Sequence, residues 1–265
     1  MKLLPTRQLG QTGIEVSCLG LGTVKFGRNQ GVKYPTGFQL PDDQSVIEIL
    51  EICRAAGMNL IDTAPAYGHS EERLGKLLKE REHWTICTKV GEEFEAGESH
   101  FDFSAAHTRM SIERSLRRLR SDYLDIVLVH SNGNDREIIE QSDCFASLEK
   151  MRDEGLIRAF GMSTKTLEGG LLTLERADLA MVTYQAGVAQ EQQVIDTALT
   201  LNKGVIIKKA LNSGHLSNTD SSVDPVRANM DFIYAHPGVS AIIIGSITPA
   251  HLQQNIAHAI AATSA

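Results

Sequence analysis

Four titratable side chains in the first half of the sequence have types that together can move a proton. Asp62, Lys89 and His130 each end a short apolar run, and Tyr67 follows Asp62 by five residues in the segment T-A-P-A-Y-G. A free tyrosine has a pKa of about 10. A lysine ammonium beside a phenol favours the phenolate, so we expect Lys89 to lower the pKa of Tyr67. Asp62 would keep that lysine charged, and His130 would hydrogen-bond a carbonyl oxygen. These types predict general acid–base chemistry on a carbonyl or alcohol group.

Each of these residues also has an ordinary structural interpretation. An aspartate after a strand is often a helix cap, and a lysine or histidine there is often solvated. Four of them at the ends of adjacent strands favour a common site. Two other functions stay open. One is a lyase in which Lys89 forms a Schiff base, and the other is a nucleotide-binding regulatory subunit with little catalysis.

Short apolar runs alternate along the chain with stretches of helical periodicity. The runs are nearly continuous, as expected for parallel strands covered on both faces. They span residues 17–23, 58–62, 84–89, 125–130, 158–163, 180–184, 204–209 and 240–245. Eight strand–helix pairs in 265 residues favour an α/β fold of the (β/α)8 TIM-barrel class, as a single domain over residues 1–265.

The connections predict which end of the barrel carries the site. The segments that leave the strands are long at 24–43, 90–103, 131–142 and 210–222, whereas the turns that enter each strand are short. In such barrels the loops that leave the strands build the active site. At the other end, T-R-Q-L-G and I-E-V-S-C flank the turn residues 11–13, which predicts an N-terminal β-hairpin closing the barrel bottom.

A few residues indicate where helices begin or end. Gly57 and Gly204 each follow a helical pattern and precede a strand, the position of a C-terminal glycine. Thr248 and Pro249 are typical of a helix N-cap and first turn.

Composition narrows the class of partner. The chain has 26 basic and 33 acidic residues and a net charge of -7, so it has no bulk attraction for nucleic acid or an anionic membrane. The apolar run before Pro5 is only two residues long, and no run is long enough for a secretory signal or a bilayer span. The four cysteines form no C-x-x-C pair, which predicts reduced, buried thiols in a cytoplasmic protein. No metal-ligand cluster occurs. We expect a small-molecule partner, and the oligomeric state stays open.

With these motifs in place, the sequence resembles the aldo-keto reductase family over nearly its whole length. The matching segments are LGLGT (19–23), IDTAPAYG (61–68), SEERLGKLL (70–78), TK (88–89), DYLDIVLVH (122–130), GLIRAFGMS (155–163) and GSITPAHLQQN (245–255). The resemblance implies a (β/α)8 barrel that reversibly reduces an aldehyde or ketone, including a sugar, with NAD(P)H. It also implies that Tyr67 is the proton donor, assisted by Asp62, Lys89 and His130.

The resemblance further implies a set of cofactor-binding residues. They are Gly22, Thr23, Ser163, Lys208, Ser246, His251 and Asn255. The chain departs from the family where nicotinamide is held: Thr164 replaces an asparagine and Met181 a glutamine. Lys208 replaces a stacking aromatic residue, and from there it can instead reach a pyrophosphate.

The segment after the last strand is expected to contact the additional phosphate by which NADPH differs from NADH. Ser246 precedes a predicted helix N-terminus, a natural anion site. Gly245 and His251 stand where NADPH-preferring relatives have a basic residue and an arginine, and a neutral histidine is a weak substitute for arginine. NADPH is the expected cofactor, with NADH as the alternative.

Overall fold

The computed structural model describes residues 2–32, 37–211 and 224–264. Its strands, numbered in chain order, are β1 (Thr6–Gln8), β2 (Glu15–Ser17), β3 (Leu19–Gly22), β4 (Leu60–Asp62), β5 (Thr85–Val90), β6 (Glu92–Glu95), β7 (Glu98–Phe101), β8 (Leu124–His130), β9 (Ile157–Ser163), β10 (Leu179–Thr183), β11 (Gly204–Lys208) and β12 (Ala241–Ile244). Strands β3, β4, β5, β8, β9, β10, β11 and β12 close into a parallel barrel in that order. Each predicted apolar run overlaps one of them, so the predicted fold class is confirmed.

Helices cover the outside of the barrel between successive strands. They are α1 (Val24–Gly27), α2 (Asp43–Ala55), α3 (Ser70–Leu77), α4 (Ala105–Leu119), α5 (Asp135–Gln141), α6 (Cys144–Asp153), α7 (Leu167–Arg176), α8 (Gln192–Thr200), α9 (Pro225–Tyr234) and α10 (Pro249–Ala262). Side chains of Asp42, Ser104 and Thr166 cap the first turns of α2, α4 and α7 by accepting backbone N–H bonds, which satisfies donors that the helix cannot.

Three of the four predicted loops contain regular structure in the described residues. Helix α1 lies at the start of 24–43. Helix α5 lies within 131–142, where its seven residues are too few to show a helical period. Strands β6 and β7 form an antiparallel hairpin within 90–103. Parts of the predicted loops 24–43 and 210–222 lie outside the described residues.

The predicted N-terminal hairpin is present and fills the bottom of the barrel. Strands β1 and β2 pair antiparallel, and Leu9, Ile14 and Val16 pack fully buried against side chains from the barrel interior. Those side chains are Leu60, Cys87, Ile126, Leu128, Ala159, Leu179, Met181, Ile206 and Ala241. The bottom is therefore a packed core, and the opposite rim is the open end.

One of the two predicted helix ends, the one at Gly204, is wrong. Gly57 has a φ of 76° after α2 as expected, but after α8 the left-handed residue is Asn202, with a φ of 52°. Gly204 is instead the first residue of β11, where a Cβ would lie 2.5 Å from the side chain of Leu9. The glycine is needed because it makes room for the hairpin that closes the barrel.

All four cysteines are buried free thiols, as predicted. Within the described ranges, every helix is too short or too polar to cross a bilayer.

Candidate active site

The four predicted proton-transfer residues meet at the carboxyl end of the barrel strands. Asp62 is the last residue of β4 and His130 the last of β8, and Lys89 is the penultimate residue of β5. Tyr67 follows β4 in a single 3-10 turn that begins at Pro65. Because β4, β5 and β8 are consecutive neighbours in the barrel, their ends bring the four side chains into one cavity.

Asp62 and Lys89 form a buried ion pair at the floor of this cavity. Nζ of Lys89 lies 2.5 Å from Oδ1 of Asp62 and donates a second bond to the carbonyl oxygen of Thr63 at 2.9 Å. Burial acts to lower the pKa of Lys89, but the charges of Asp62 and Tyr67 outweigh it and raise that pKa above its usual range. Lys89 is therefore a fixed ammonium at neutral pH.

The ring of Tyr67 lies between Lys89 and His130. The ammonium of Lys89 is 4.7 Å from the centre of the tyrosine ring, and the rings of Tyr67 and His130 meet edge to face at 6.2 Å. Burial raises the pKa of Tyr67, and the charge of Lys89 offsets only part of that increase. The expectation of a net lowering is therefore wrong, because desolvation of the phenolate outweighs one nearby cation. The phenol is a protonated acid at neutral pH.

Glu92 is a site residue that the sequence did not reveal. It begins β6, and its Oε2 lies 2.6 Å from Nδ1 of His130, while the hydroxyl of Ser99 donates to its Oε1 at 2.6 Å. Burial acts to raise the pKa of Glu92, but His130 and Ser99 outweigh it and lower the pKa to about 2. Burial lowers the pKa of His130, although the carboxylate of Glu92 acts to raise it. An ionised Glu92 thus holds the Nδ1 edge of a mainly neutral imidazole.

Arg28 connects the β6–β7 hairpin to the turn that carries Tyr67. Its guanidinium lies 3.3 Å from the centre of the Phe94 ring and 3.8 Å from Oε1 of Glu92. The same group donates to the carbonyl oxygen of Ala66 at 3.1 Å. One arginine therefore contacts the hairpin that holds His130 and the residue next to Tyr67.

The cavity continues from these residues across the rim to the start of α10. It has a volume of about 660 Å³, within the range of small-molecule sites. All eleven predicted catalytic and cofactor-binding residues line it, the latter being Gly22, Thr23, Ser163, Lys208, Ser246, His251 and Asn255. The structure thus brings the whole predicted set together.

The charge of the cavity is opposite to that of the whole chain. Five lysines and a single aspartate are among its described lining residues, although the chain carries a net charge of -7. The lysines are Lys25, Lys89, Lys165, Lys208 and Lys209. Together with Ser246 before the N-terminus of α10, they suit an elongated anionic ligand, as a dinucleotide is.

Lys208 occupies the part of the cavity beside Ser163. Its Nζ donates to Oγ of Ser163 at 2.9 Å and to the carbonyl oxygen of Thr164. The hydroxyl of Thr164 points instead to Glu191, at 3.4 Å from Oε1. Lys208 is therefore held beside Ser163, another of the predicted cofactor-binding residues.

Comparisons with known proteins agree with this geometry. The profile of the Aldo/keto reductase family matches residues 18–231. A crystal structure from Pseudomonas aeruginosa with a provisional aldo-keto reductase assignment is 53% identical, with a TM-score of 0.89 over 98% of this chain and 97% of the other.

Two named relatives match parts of the chain. L-galactose dehydrogenase from Arabidopsis thaliana is 35% identical over 184 residues, which are 66% of this chain and 53% of the relative. The match therefore spans about half the length of that relative. An NADH-specific methylglyoxal reductase from Escherichia coli is 29% identical over 238 residues, which are 83% of this chain and 70% of the relative.

Proposed function

Because this chain belongs to the aldo/keto reductase family and is thereby an NAD(P)H-dependent oxidoreductase, we propose that Tyr67 is the general acid–base of a reversible carbonyl reduction. The observation that carries the proposal is the position of the Tyr67 ring, between the ammonium of Lys89 and the ring of His130. A phenol in this position can give its proton to a carbonyl oxygen, and the adjacent cation stabilises the phenolate that remains.

Each neighbouring residue has a separate role in this proposal. Asp62 holds Lys89 charged, so that a positive charge stays beside the developing phenolate. Glu92 faces Nδ1 of His130 at 2.6 Å, which leaves Nε2 as the ring nitrogen available to a substrate oxygen. We assign Glu92 as a positioning residue, because it acts through His130.

The cavity suits a nicotinamide dinucleotide by its volume, its lysines and the helix N-terminus beside it. Ser163 and Lys208 would hold the nicotinamide end, and Ser246 and Asn255 the opposite end near α10. When bound, the cofactor supplies the hydride that no side chain can provide. We propose NADPH as the cofactor. NADH is the alternative because Gly245 and His251 offer no guanidinium to a second phosphate.

The substrate in this proposal is a small aldehyde, ketone or sugar, or the corresponding alcohol. The named relatives act on a sugar and on methylglyoxal. At neutral pH Tyr67 is protonated, and this acid form is the one that donates a proton during reduction.

A Schiff-base lyase is disfavoured by the state of Lys89. Attack on a carbonyl requires a neutral amine, and Asp62 holds Lys89 as an ammonium. Borohydride with a carbonyl substrate should leave Lys89 unmodified.

The test combines nucleotide binding with turnover in one matched pair of variants. Wild-type protein is titrated with NADPH and with NADH, and then assayed on a panel of aldehydes, ketones and sugars. Tyr67→Phe should keep nucleotide binding and lose about 10²- to 10⁴-fold in kcat. The control Tyr184→Phe removes the hydroxyl of a buried tyrosine whose ring stacks on Phe232, outside the cavity, and should keep its activity. Undiminished turnover in Tyr67→Phe would exclude Tyr67 as the proton donor.

A further inference from the structure

The amine of Lys208 lies in the cavity, and no carboxylate of the described residues forms an ion pair with it. Its Nζ donates to the hydroxyl of Ser163 and to a backbone carbonyl oxygen, both of them neutral groups. In the part of the chain that the structure describes, it forms no ion pair, whereas Lys89 at the other side of the floor is paired with Asp62. An amine that is held in a cavity by neutral acceptors can interact with the charge of whatever fills the space beside it.

The position of Lys208 is within electrostatic range of the proton-transfer residues. It ends β11, opposite Thr183 of β10, and its bonding partner Ser163 ends β9, opposite His130 of β8. The charge of Lys208 acts on the pKa of His130. A carbonyl that receives the proton of Tyr67 must also receive hydride from a ring in contact with its carbon, so that ring lies in the same small part of the cavity.

The two redox states of a nicotinamide differ in charge at this ring. The oxidised ring carries a formal positive charge, and the reduced ring is neutral. An ammonium in the same low-dielectric cavity repels the first and not the second. We propose, on the basis of the function proposed above, that Lys208 discriminates between the two states of the cofactor. The chain then binds the reduced form more tightly and releases the oxidised form more readily.

The protonation of Lys208 provides an internal control for this proposal. Burial lowers the pKa of Lys208 to about 7, with the carboxylate of Glu191 opposing that shift. The other charged groups that act on it are Lys209, Asp135 and Lys89. Discrimination should therefore be strongest below pH 7, where Lys208 is an ammonium, and should decline at higher pH as the amine loses its proton.

The experiment measures binding and needs no turnover. Equilibrium dialysis or calorimetry gives the Kd of NADPH and of NADP⁺ (or of NADH and NAD⁺, if that pair binds) at pH 6 and pH 9. At pH 6, the ratio of the Kd of the oxidised form to that of the reduced form should fall at least about tenfold in Lys208→Met, a free-energy difference of about 1.4 kcal/mol. Lys208→Arg should keep the ratio at both pH values.

Lys203→Met is the matched control for the loss of a partly buried lysine. Lys203 precedes β11 at the bottom of the barrel, and its Nζ also donates to a backbone carbonyl oxygen, that of Ala177. The control should leave the ratio unchanged. In wild-type protein alone, the ratio should be larger at pH 6 than at pH 9, which tests the proposal even if a variant fails to fold.

Two outcomes separate the two proposals. If both nucleotides bind but the ratio is the same in wild type and Lys208→Met, and does not change with pH, the role of Lys208 is wrong and the reductase proposal stands. If wild-type protein binds neither redox state, the proposed function itself fails, and the role of Lys208 fails with it.

Discussion

The ion pair of Asp62 and Lys89 allows the cost of losing one partner to be worked out. The charged atoms are 2.5 Å apart, and the side chains are only 7% and 2% exposed. With an effective dielectric constant of about 20, two unit charges at this separation attract by about 7 kcal/mol. Burial of each ion costs several kcal/mol, so most of this attraction only offsets desolvation. The pair as a whole adds little stability, but a single remaining ion is strongly unfavourable.

We therefore predict that Asp62→Asn lowers the free energy of unfolding by about 3–5 kcal/mol. Urea unfolding at pH 7 measures this loss as a shift of the midpoint with an unchanged slope. The double variant Asp62→Asn/Lys89→Met removes both charges. It should regain the stability of the wild type or exceed it by about 1–4 kcal/mol, although it would lose turnover.

An exposed pair serves as the control for the charge change. Glu80 and Arg54 are 2.7 Å apart but about half exposed, so Glu80→Gln should cost no more than about 1 kcal/mol. The reasoning is refuted if Asp62→Asn costs as little as this control. It is also refuted if the double variant is as unstable as the single one, because the loss would then not come from an unpaired ammonium.

Two further predictions concern stability. Since the folded-state pKa of Glu92 is lowered to about 2 from an ordinary value of about 4.3, its ionised form should add roughly 3 kcal/mol above pH 4.3, and this is lost as the pH falls towards 2. Glu92→Gln should therefore lose stability at pH 7 and show a weaker acid dependence in urea unfolding; parallel curves for the two proteins would contradict this. A Cβ on Gly161 would fall on the carbonyl oxygen of Leu179, so Gly161→Ala should cost about 3 kcal/mol. Gly37→Ala, where no atom of the described residues lies within 4 Å of the added Cβ, should be neutral. Equal melting temperatures of the two variants would show that the clash at Gly161 is not destabilising.

The barrel strands were predictable because each is a short, nearly continuous apolar run, and burial on both faces requires that pattern. The β6–β7 hairpin was not, because its segment E-E-F-E-A-G-E-S-H-F is mostly polar and exposed. Its alternation buries no continuous face. The only local signal is the turn at Ala96 and Gly97, both with positive φ.

In the site, too, residues that a local sequence pattern marks were predictable, and contacts between distant segments were not. Asp62, Lys89 and His130 were predictable because strand ends in a parallel barrel lie at one rim. The contact of Glu92 with His130 joins residues 38 positions apart and depends on the hairpin fold, which no local pattern indicates. The direction of the Tyr67 pKa also depends on burial depth, a property of the folded chain and not of the spacing of charges.

The position of Arg28 has a consequence for exchanging loops between relatives. The rim segments of such a barrel are often treated as interchangeable modules on a fixed scaffold. Here one guanidinium contacts Phe94, approaches Glu92 and bonds to the backbone of Ala66. Three rim segments therefore share one side chain, and a graft of any one of them must carry its counterparts with it. An exchange of these loops with a relative should therefore preserve the site only when all three segments are transferred together.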